Sequence, residues 1–232
     1  MGARYFRQVR KKIGWSQQRA AAELGLSQSY VSMLENGARL LPPEVARRMV
    51  HAYKLSPVSL PLPRESWDPK AADPDQLAAD LAGLGYPGFA YRRKRRSQKN
   101  PSEVLLTALA SEKLEARLFE ALPWLVLQYW NMDREWLVHQ AKLHDLQNRL
   151  GFVVTLAKSA AQKAVPANAE RGTALESLES ALKHSLLARE EPLGKPTLSE
   201  AEQKWLRKYR SKEAREWNLL TNWRSEALRY VA

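Results

Sequence analysis

A row of small, uncharged side chains occupies one side of a short stretch near the amino terminus. The row holds an amide, two hydroxyls and a thioether, from Gln28, Ser29, Ser32 and Met33. On a helix, spacings of one, four and five residues place these side chains on one face. Amides and hydroxyls donate and accept hydrogen bonds, whereas a thioether makes mainly apolar contacts. Such a face suits recognition of a surface that mixes hydrogen-bonding groups with methyl groups, and it lacks the Glu and Lys of a merely solvated helix.

The surrounding stretch, residues 26–37, carries the signals of a short capped helix. Ser27 offers a side-chain oxygen to the unpaired amides of the first turn. Val31 and Leu34 are three residues apart, which gives the helix an apolar contact on the side away from the polar row. Gly37 can adopt the left-handed conformation that ends a helix. The sequence therefore predicts a helix that buries Val31 and Leu34.

A second short helix precedes this one, and residues 24–26 form a Leu-Gly-Leu turn between them. Ala21 would let the two helices approach each other, and Gly25 would supply the backbone freedom of the turn. With this arrangement, roughly the first 56 residues resemble the Cro/C1-type (Xre) helix-turn-helix family. Nine positions carry the resemblance together: Gln17, Ala21, Gly25, Ser27, Val31, Leu34, Glu35, Asn36 and Gly37. The resemblance implies a DNA-binding domain with a lambda-repressor-like helical fold.

The resemblance implies base contacts for the polar row. Gln28 and Ser29 would lie in the first turn of the recognition helix, where Gln28 suits a bidentate pair with adenine and Ser29 can bond several bases. Ser32 and Met33 would lie one turn further along the same face. Met33 could make only apolar contact there, for example with a thymine methyl group.

The resemblance also implies contacts around the recognition helix. Gln17, Asn36 and Arg39 would hold phosphates together with the backbone amides at the helix ends. Arg10 and Glu35 match positions that form a buried ion pair in some family members. That pair would tie the first helix to the end of the third.

The charge of the chain favours the same class of partner. The 232 residues include 37 Lys and Arg against 25 Asp and Glu, for a formal net charge of +12. Cations that face phosphates gain affinity by releasing condensed counterions, so nucleic acid is the leading partner and an anionic membrane surface the second. No stretch has the apolar length of a membrane span, and the start does not resemble a signal peptide, so we expect a cytoplasmic protein without membrane contact.

Catalytic and metal-binding patterns find little support in the sequence. There is no cysteine, which excludes disulfides and cysteine-ligated zinc. The four histidines form no HExxH motif, and neither a Gly-rich phosphate loop nor a Gly-x-Ser-x-Gly elbow occurs. We therefore expect no enzyme activity, no metal and no cofactor.

Composition divides the chain into three parts. Residues 1–56 form the helix-turn-helix domain, and residues 57–102 are a Pro-rich and basic linker with one short helix that begins after Asp73 and reaches Leu84. Residues 103–232 have long-period helical spacing and would supply dimerisation or partner binding. Period-2 alternation is almost absent, so the fold class is all-α.

In residues 103–232 the helix boundaries follow from the spacing of apolar residues and from helix-breaking Pro and Gly residues. The pattern predicts helices over residues 101–122, 133–150 and 170–188. Pro123 is expected to kink or end the first, and Gly151 to interrupt or bend the second. Asp133 should cap the second, and Ser199 with Glu202 should form a capping box further on.

The resulting hypothesis is a two-domain, sequence-specific DNA-binding regulator of transcription, most simply a repressor. One small domain makes a limited interface, so we expect a homodimer that reads two half-sites. The alternative is an antitoxin whose carboxy-terminal helices neutralise a cognate toxin while the amino-terminal domain represses the shared operon. The resembled family includes such antitoxins.

A strongly basic run, "YRRKRRSQKN", follows the linker helix. Its six cations are Arg92, Arg93, Lys94, Arg95, Arg96 and Lys99. Three uses are open: a solvated linker, an arm that follows the DNA backbone or minor groove, and a docking strip for an acidic partner.

The arm hypothesis predicts a change in the salt dependence of DNA binding. Replacing Arg92, Arg93, Arg95 and Arg96 with Gln should lower the slope of log affinity against log salt by up to ~0.9 for each phosphate that the arm no longer neutralises. Specificity should be unchanged, because a flexible cationic run contributes sequence-independent attraction. Operator affinity measured across a salt series checks this, and an unchanged slope would exclude the arm from DNA binding.

Overall fold

The computed structural model describes residues 3–63, 67–69, 73–92, 99–163, 168–195 and 197–230. Among these residues the secondary structure is helical apart from one pair of two-residue strands, so the predicted all-α class is confirmed. The chain divides into two compact units. The first comprises residues 1–63 and 98–100, and the second residues 64–97 and 101–232.

The first unit packs short helices around one apolar core. Its helices are α1 (Ala3–Lys12), α2 (Gln17–Leu24), α3 (Gln28–Glu35) and α4 (Pro43–Ala52), followed by a 3₁₀ turn at Pro57–Ser59. Every one of these α-helices contributes to the core, which includes Phe6, Leu24, Leu34, Met49 and Leu60. Because each helix is too short to be stable alone, this shared core holds them in place.

Hydroxyl caps and a left-handed glycine set the ends of α2 and α3. The Ser16 hydroxyl accepts a hydrogen bond from the Arg19 amide at 3.0 Å, and the Ser27 hydroxyl accepts one from the Tyr30 amide at 3.2 Å. Gly25 follows α2 with a φ of 62°, a conformation that residues with a Cβ rarely adopt. The chain therefore leaves α2 and enters α3 through a tight turn, as the sequence predicts.

The second unit contains eight α-helices among its described residues. They are α5 (Pro74–Leu84), α6 (Pro101–Ala110), α7 (Ala116–Gln128), α8 (Arg134–Leu143), α9 (Gln147–Lys163), α10 (Ala169–Lys183), α11 (Glu200–Tyr209) and α12 (Lys212–Glu216). Two short strands, β1 (Glu191–Pro192) and β2 (Leu219–Leu220), pair in parallel. Further 3₁₀ turns lie at Pro87–Arg92 and Ser225–Ala227. None of the helices that the structure describes in either unit is long and apolar enough to cross a membrane.

Helix α9 is the centre of the second unit. Every residue from 150 to 157 is buried, because α7, α8, α10 and α12 all pack against it. Trp217, at the end of α12, is fully buried and donates through Nε1 to the Thr155 hydroxyl at 2.8 Å. The same hydroxyl donates to the Glu179 carboxylate on α10 at 2.8 Å. This polar chain satisfies the buried indole and joins three helices.

The predicted linker is divided between the two units. Helix α5 was expected to lie in a linker, but it buries Leu77 and Leu81 and packs against α6 and α7. The hydroxyl of Tyr129, the residue just after α7, also donates to the Leu84 carbonyl at 2.6 Å. An amphipathic helix with so much apolar surface is more stable inside a core than in solvent. Residues 73–92 therefore belong to the second unit.

The first unit also extends beyond the predicted boundary at residue 56. Leu60 is buried in its core. The Asn100 side-chain amide donates to the Val58 and Leu60 carbonyls at 3.0 and 2.8 Å. These hydrogen bonds satisfy backbone groups that would otherwise be buried without partners, which is why this Pro-rich segment is ordered.

The single helix predicted over residues 101–122 is wrong. It is two helices, α6 and α7, separated by residues 111–115. Pro123 lies inside α7 and does not end it. A proline removes one helical hydrogen bond, but Pro123 is buried between Leu122 and Leu125, which are both fully buried, and this packing outweighs the loss.

The other two predicted helices also differ from the structure. The Asp133 cap is confirmed, since its side chain accepts from the Trp136 amide at 3.0 Å, but α8 ends at Leu143 and Gly151 lies within α9. Helix α10 ends at Lys183, before the predicted residue 188, because the Asn148 side chain bonds both backbone groups of Leu187 at 2.9 Å. The capping box of Ser199 and Glu202 is confirmed.

Gly151 generates a prediction about stability. A Cβ at this position would lie 2.1 Å from Cζ3 of Trp217, so Gly151→Ala should lower the free energy of unfolding by about 1–3 kcal/mol through overpacking. Gly172→Ala on α10 is the matched control. Its Cβ would meet nothing within 4 Å, and it should raise the stability by about 0.5–1 kcal/mol. Urea denaturation of both variants measures the two changes in the free energy of unfolding. If Gly151→Ala and Gly172→Ala changed it equally, the Trp217 contact would be contradicted.

Candidate nucleic-acid interface

Helix α3 presents the predicted row of side chains to solvent. Val31 and Leu34 are fully buried on its inner side. On the outer side Gln28 and Ser29 are exposed, and Ser32 and Met33 are partly exposed. The helix therefore buries the residues that the sequence assigned to the core and leaves the uncharged row accessible.

Arg10 and Glu35 form a bidentate ion pair behind this row. The Arg10 Nε and Nη2 atoms donate to the two carboxylate oxygens of Glu35 at 2.6 and 2.8 Å. The side chains are only 7% and 2% exposed. Arg10 Nη1 also donates to the Trp15 carbonyl at 2.6 Å. One guanidinium thus joins α1, the loop before α2, and the end of α3.

The environment of Glu35 acts on its pKa in two directions. Burial disfavours the charged carboxylate and raises the pKa, but the hydrogen bonds from Arg10 and Gln17 favour the charge and prevail, so the pKa lies below its usual value. A carboxyl group with a lowered pKa stabilises the folded state fully above its unfolded pKa. That contribution is lost as the pH falls through the lowered, folded value.

Gln17 links the buried ion pair to the exposed row. Its side-chain amide donates to the Glu35 carboxylate at 2.9 Å and accepts from Nε2 of Gln28 at 3.0 Å. The sequence predicts a phosphate contact for Gln17, and in the structure its side chain also holds that of Gln28. Gln28 keeps its carbonyl oxygen and a second N–H for an outside partner.

A second polar group holds the far end of α3. Arg7 Nη1 donates to the Asn36 side-chain carbonyl at 3.1 Å, and Asn36 Nδ2 lies 3.4 Å from the Ser32 hydroxyl. Arg7 is exposed and was not predicted from the sequence. The sequence feature that could have identified Arg7 is its position one helical turn before Arg10. This spacing places both guanidinium groups on the same side of α1.

Two more arginines border α3, and only one of them was predicted. Arg39 is exposed, and its backbone amide bonds the Met33 carbonyl at 3.3 Å, just beyond the end of the helix. Arg19, which the sequence did not single out, is exposed in the first turn of α2, with its guanidinium carbon 4.8 Å from the ring centre of Trp15. Neither α2 nor α3 has an acidic residue in its first turn, so the positive ends of both helix dipoles are uncompensated.

The predicted basic run lies mostly outside the described residues. Arg93, Lys94, Arg95 and Arg96 are not described, while Arg92 and Lys99 are. Arg92 donates to the Asp75 carboxylate at 2.5 Å, so this cation has an internal partner.

Helices α2 and α3 are joined by a left-handed glycine, and α3 has an uncharged exposed face with arginines around it. This arrangement defines a helix-turn-helix DNA-binding domain. Comparison with known families agrees: residues 6–60 match the family model described as helix-turn-helix. The amino-terminal unit is therefore a Cro/C1-type (Xre) helix-turn-helix domain, a DNA-binding domain of transcription regulators. No curated protein and no solved structure matches the chain.

The buried ion pair generates a prediction about the first unit. Glu35→Gln leaves the Arg10 guanidinium buried without a countercharge, so we expect a loss of about 3–5 kcal/mol in the free energy of unfolding at neutral pH. Glu23→Gln removes an exposed carboxylate from α2 and should change the stability by no more than about 0.5 kcal/mol. Chemical denaturation of both variants measures the difference.

Acid should remove the stability advantage of the wild-type protein over Glu35→Gln. As the pH falls below the usual carboxyl pKa of 4.5 and through the lowered pKa of Glu35, the stability difference from Glu35→Gln should shrink. A difference that stays constant across this range would show that the Glu35 charge does not stabilise the fold.

Proposed function

We propose that this protein is a sequence-specific transcriptional repressor that reads operator DNA with α3 in the major groove. One observation carries the proposal: the exposed Gln28 is connected through Gln17 to a buried ion pair, so its orientation is set before any ligand binds. A side chain that is ordered in the free protein loses less conformational entropy on binding. A glutamine that is merely solvated needs no hydrogen bond from another side chain to fix its orientation.

The proposed base contacts follow from the groups that α3 leaves accessible. The carbonyl oxygen and second N–H of Gln28 match the N6 and N7 atoms of adenine in the major groove. Ser29 and Ser32 can donate to or accept from several bases, which gives weaker discrimination. Met33 is suited to a thymine methyl group. Together these contacts would favour A·T-containing half-sites.

The proposed phosphate contacts surround this face. Asn36 and Arg39 lie just beyond α3, and Arg7 bonds Asn36 from α1. Arg19 lies in the first turn of α2, where a cation is unfavourable for the helix dipole unless an anion is nearby. Backbone phosphates would supply that anion. These cations would set the register of the domain on the duplex without reading sequence.

We further propose that the protein acts as a homodimer on a palindromic operator. Helix α3 has eight residues, so one copy reaches few base pairs. Two copies one helical turn apart would double the number of base contacts and match the symmetry of the site. A dimer that occupies a promoter represses by excluding polymerase, which requires no additional activity.

A second candidate function is that of an antitoxin. Its support is the second unit, which contains eight α-helices among the described residues and leaves Leu143 of α8 58% exposed. An exposed leucine on a helix is a suitable contact for a protein partner. Co-expression with the product of an adjacent gene tests this candidate, and survival of cells only in the presence of this protein would support it.

The repressor proposal predicts a loss of discrimination in Gln28→Ala. With an operator selected from a random duplex library, the variant should bind ~1–3 kcal/mol more weakly than the wild-type protein, while its affinity for random DNA should hardly change. The reason is that a base contact contributes only to the cognate complex.

Gln8→Ala is the matched control, because Gln8 is an exposed amide on α1 outside the row. It should retain wild-type affinity for both DNAs. Titrations of the three proteins at one fixed salt concentration give the comparison. Equal losses on operator and random DNA for Gln28→Ala would rule out base reading by this residue.

A further inference from the structure

An apolar cavity of about 550 Å³ lies beside α11 in the second unit. We call it the α11 cavity. Its walls include Leu114, Phe119, Leu198, Trp205, Leu206 and Trp223. A volume of this size falls within the range of sites that hold small molecules, and such sites are typically lined by apolar and aromatic side chains. The DNA-binding role does not use this cavity.

Helix α11 is held at its ends by polar contacts rather than by apolar burial. At its start the Ser199 and Glu202 capping box closes the first turn. At its end Arg207 and Arg210 both bond the Glu190 carboxylate, at 2.7 and 2.6 Å. No residue of α11 is buried, and Trp205 is 51% exposed. The helix is therefore fixed in place while its apolar side faces an unfilled space.

The opposite walls of the cavity are closely packed. The Phe119 and Trp223 rings pack at a centroid distance of 4.8 Å. Gly194 has a φ of 78°, and a Cβ there would lie 3.0 Å from the Leu114 carbonyl oxygen, so backbone closely approaches backbone along this wall. Side chains cannot simply collapse into the space, because both walls are fixed by packing and by α11's ion pairs.

The polar groups of the cavity restrict the chemistry of its occupant. Thr221 is only 4% exposed, and its hydroxyl oxygen accepts from the Trp223 amide at 3.3 Å. The hydroxyl proton can therefore donate to an acceptor in the cavity. The two formal charges at the cavity, Lys195 and Glu202, bond each other at 3.1 Å and neutralise one another. The cavity therefore offers a ligand no unpaired formal charge.

We propose that the α11 cavity binds an uncharged, largely aromatic small molecule with one hydrogen-bond acceptor. The rings would lie against Phe119, Trp205 and Trp223, and the acceptor would take the Thr221 hydroxyl proton. Two fused rings with a short substituent fit the volume. This site is independent of the DNA-binding proposal, because every residue in it belongs to the second unit.

The neutral fluorophore prodan, a naphthalene that carries a ketone, is a suitable probe for the full-length protein. Its emission shifts to shorter wavelength in apolar surroundings. We expect saturable binding of one molecule per chain. Ala201→Trp would fill the cavity from α11, since Ala201 lines it, and should weaken binding by at least tenfold. Ala79→Trp, on the exposed side of α5, should bind prodan within twofold of the wild-type protein.

The Thr221 hydroxyl is tested separately. Thr221→Val should weaken prodan binding about fivefold and shift the bound emission further to the blue, because the ketone loses its donor. Thr221→Ser should restore both values. The circular dichroism of each variant shows whether it is folded.

Three results would overturn the proposal. The first is prodan fluorescence that rises without saturation in the wild-type protein. The second is equal binding by Ala201→Trp and Ala79→Trp, which would locate the probe elsewhere. The third is a wild-type dimer that only Ala201→Trp dissociates in size-exclusion chromatography, which would make a second copy of the chain the occupant.

Discussion

Two opposite charges buried in the small amino-terminal unit constrain the arrangement of its whole exposed face. Removing a guanidinium and a carboxylate from water costs several kcal/mol for each ion, and only good geometry with further hydrogen bonds offsets that cost. The Arg10–Glu35 pair has both features, with partners at 2.6 and 2.8 Å and added bonds to the Trp15 carbonyl and Gln17. These partners come from three helices and a loop, so the buried charges tie α1, α2 and α3 to one another.

The first unit could be predicted well from sequence for a different, local reason. Caps at Ser16 and Ser27, the turn at Gly25 and the two faces of α3 depend on neighbours within a few residues, and local chemistry determines them. The exposure of Gln28, Ser29, Ser32 and Met33 on one side of α3 followed for the same reason. The bond from Gln17 to Glu35 did not, because an amide at a helix start can contact many partners and Glu35 lies eighteen residues away in the sequence.

The second unit shows where sequence reasoning fails. Pro123 and Gly151 are helix breakers by propensity, yet both lie inside helices. Propensity is a difference of about one to three kcal/mol, and burial of several large side chains exceeds it. Gly151 is required by the Trp217 ring, a contact that no local pattern reveals. Helix α5 was assigned to a linker because its flanking prolines were visible in the sequence, whereas its partners α6 and α7 were not identifiable as such.

The contact between Trp217 and α9 also has a consequence for the order of events during protein synthesis. Trp217 and Thr155 are 62 residues apart, so α9 leaves the ribosome well before the indole that covers it. The helix-turn-helix unit consists of residues 1–63 and 98–100, which all precede α9, and it can fold first. Until Trp217 emerges, the buried face of α9 around Gly151 is open to water. The nascent chain therefore carries a finished DNA-binding domain attached to an incomplete second core.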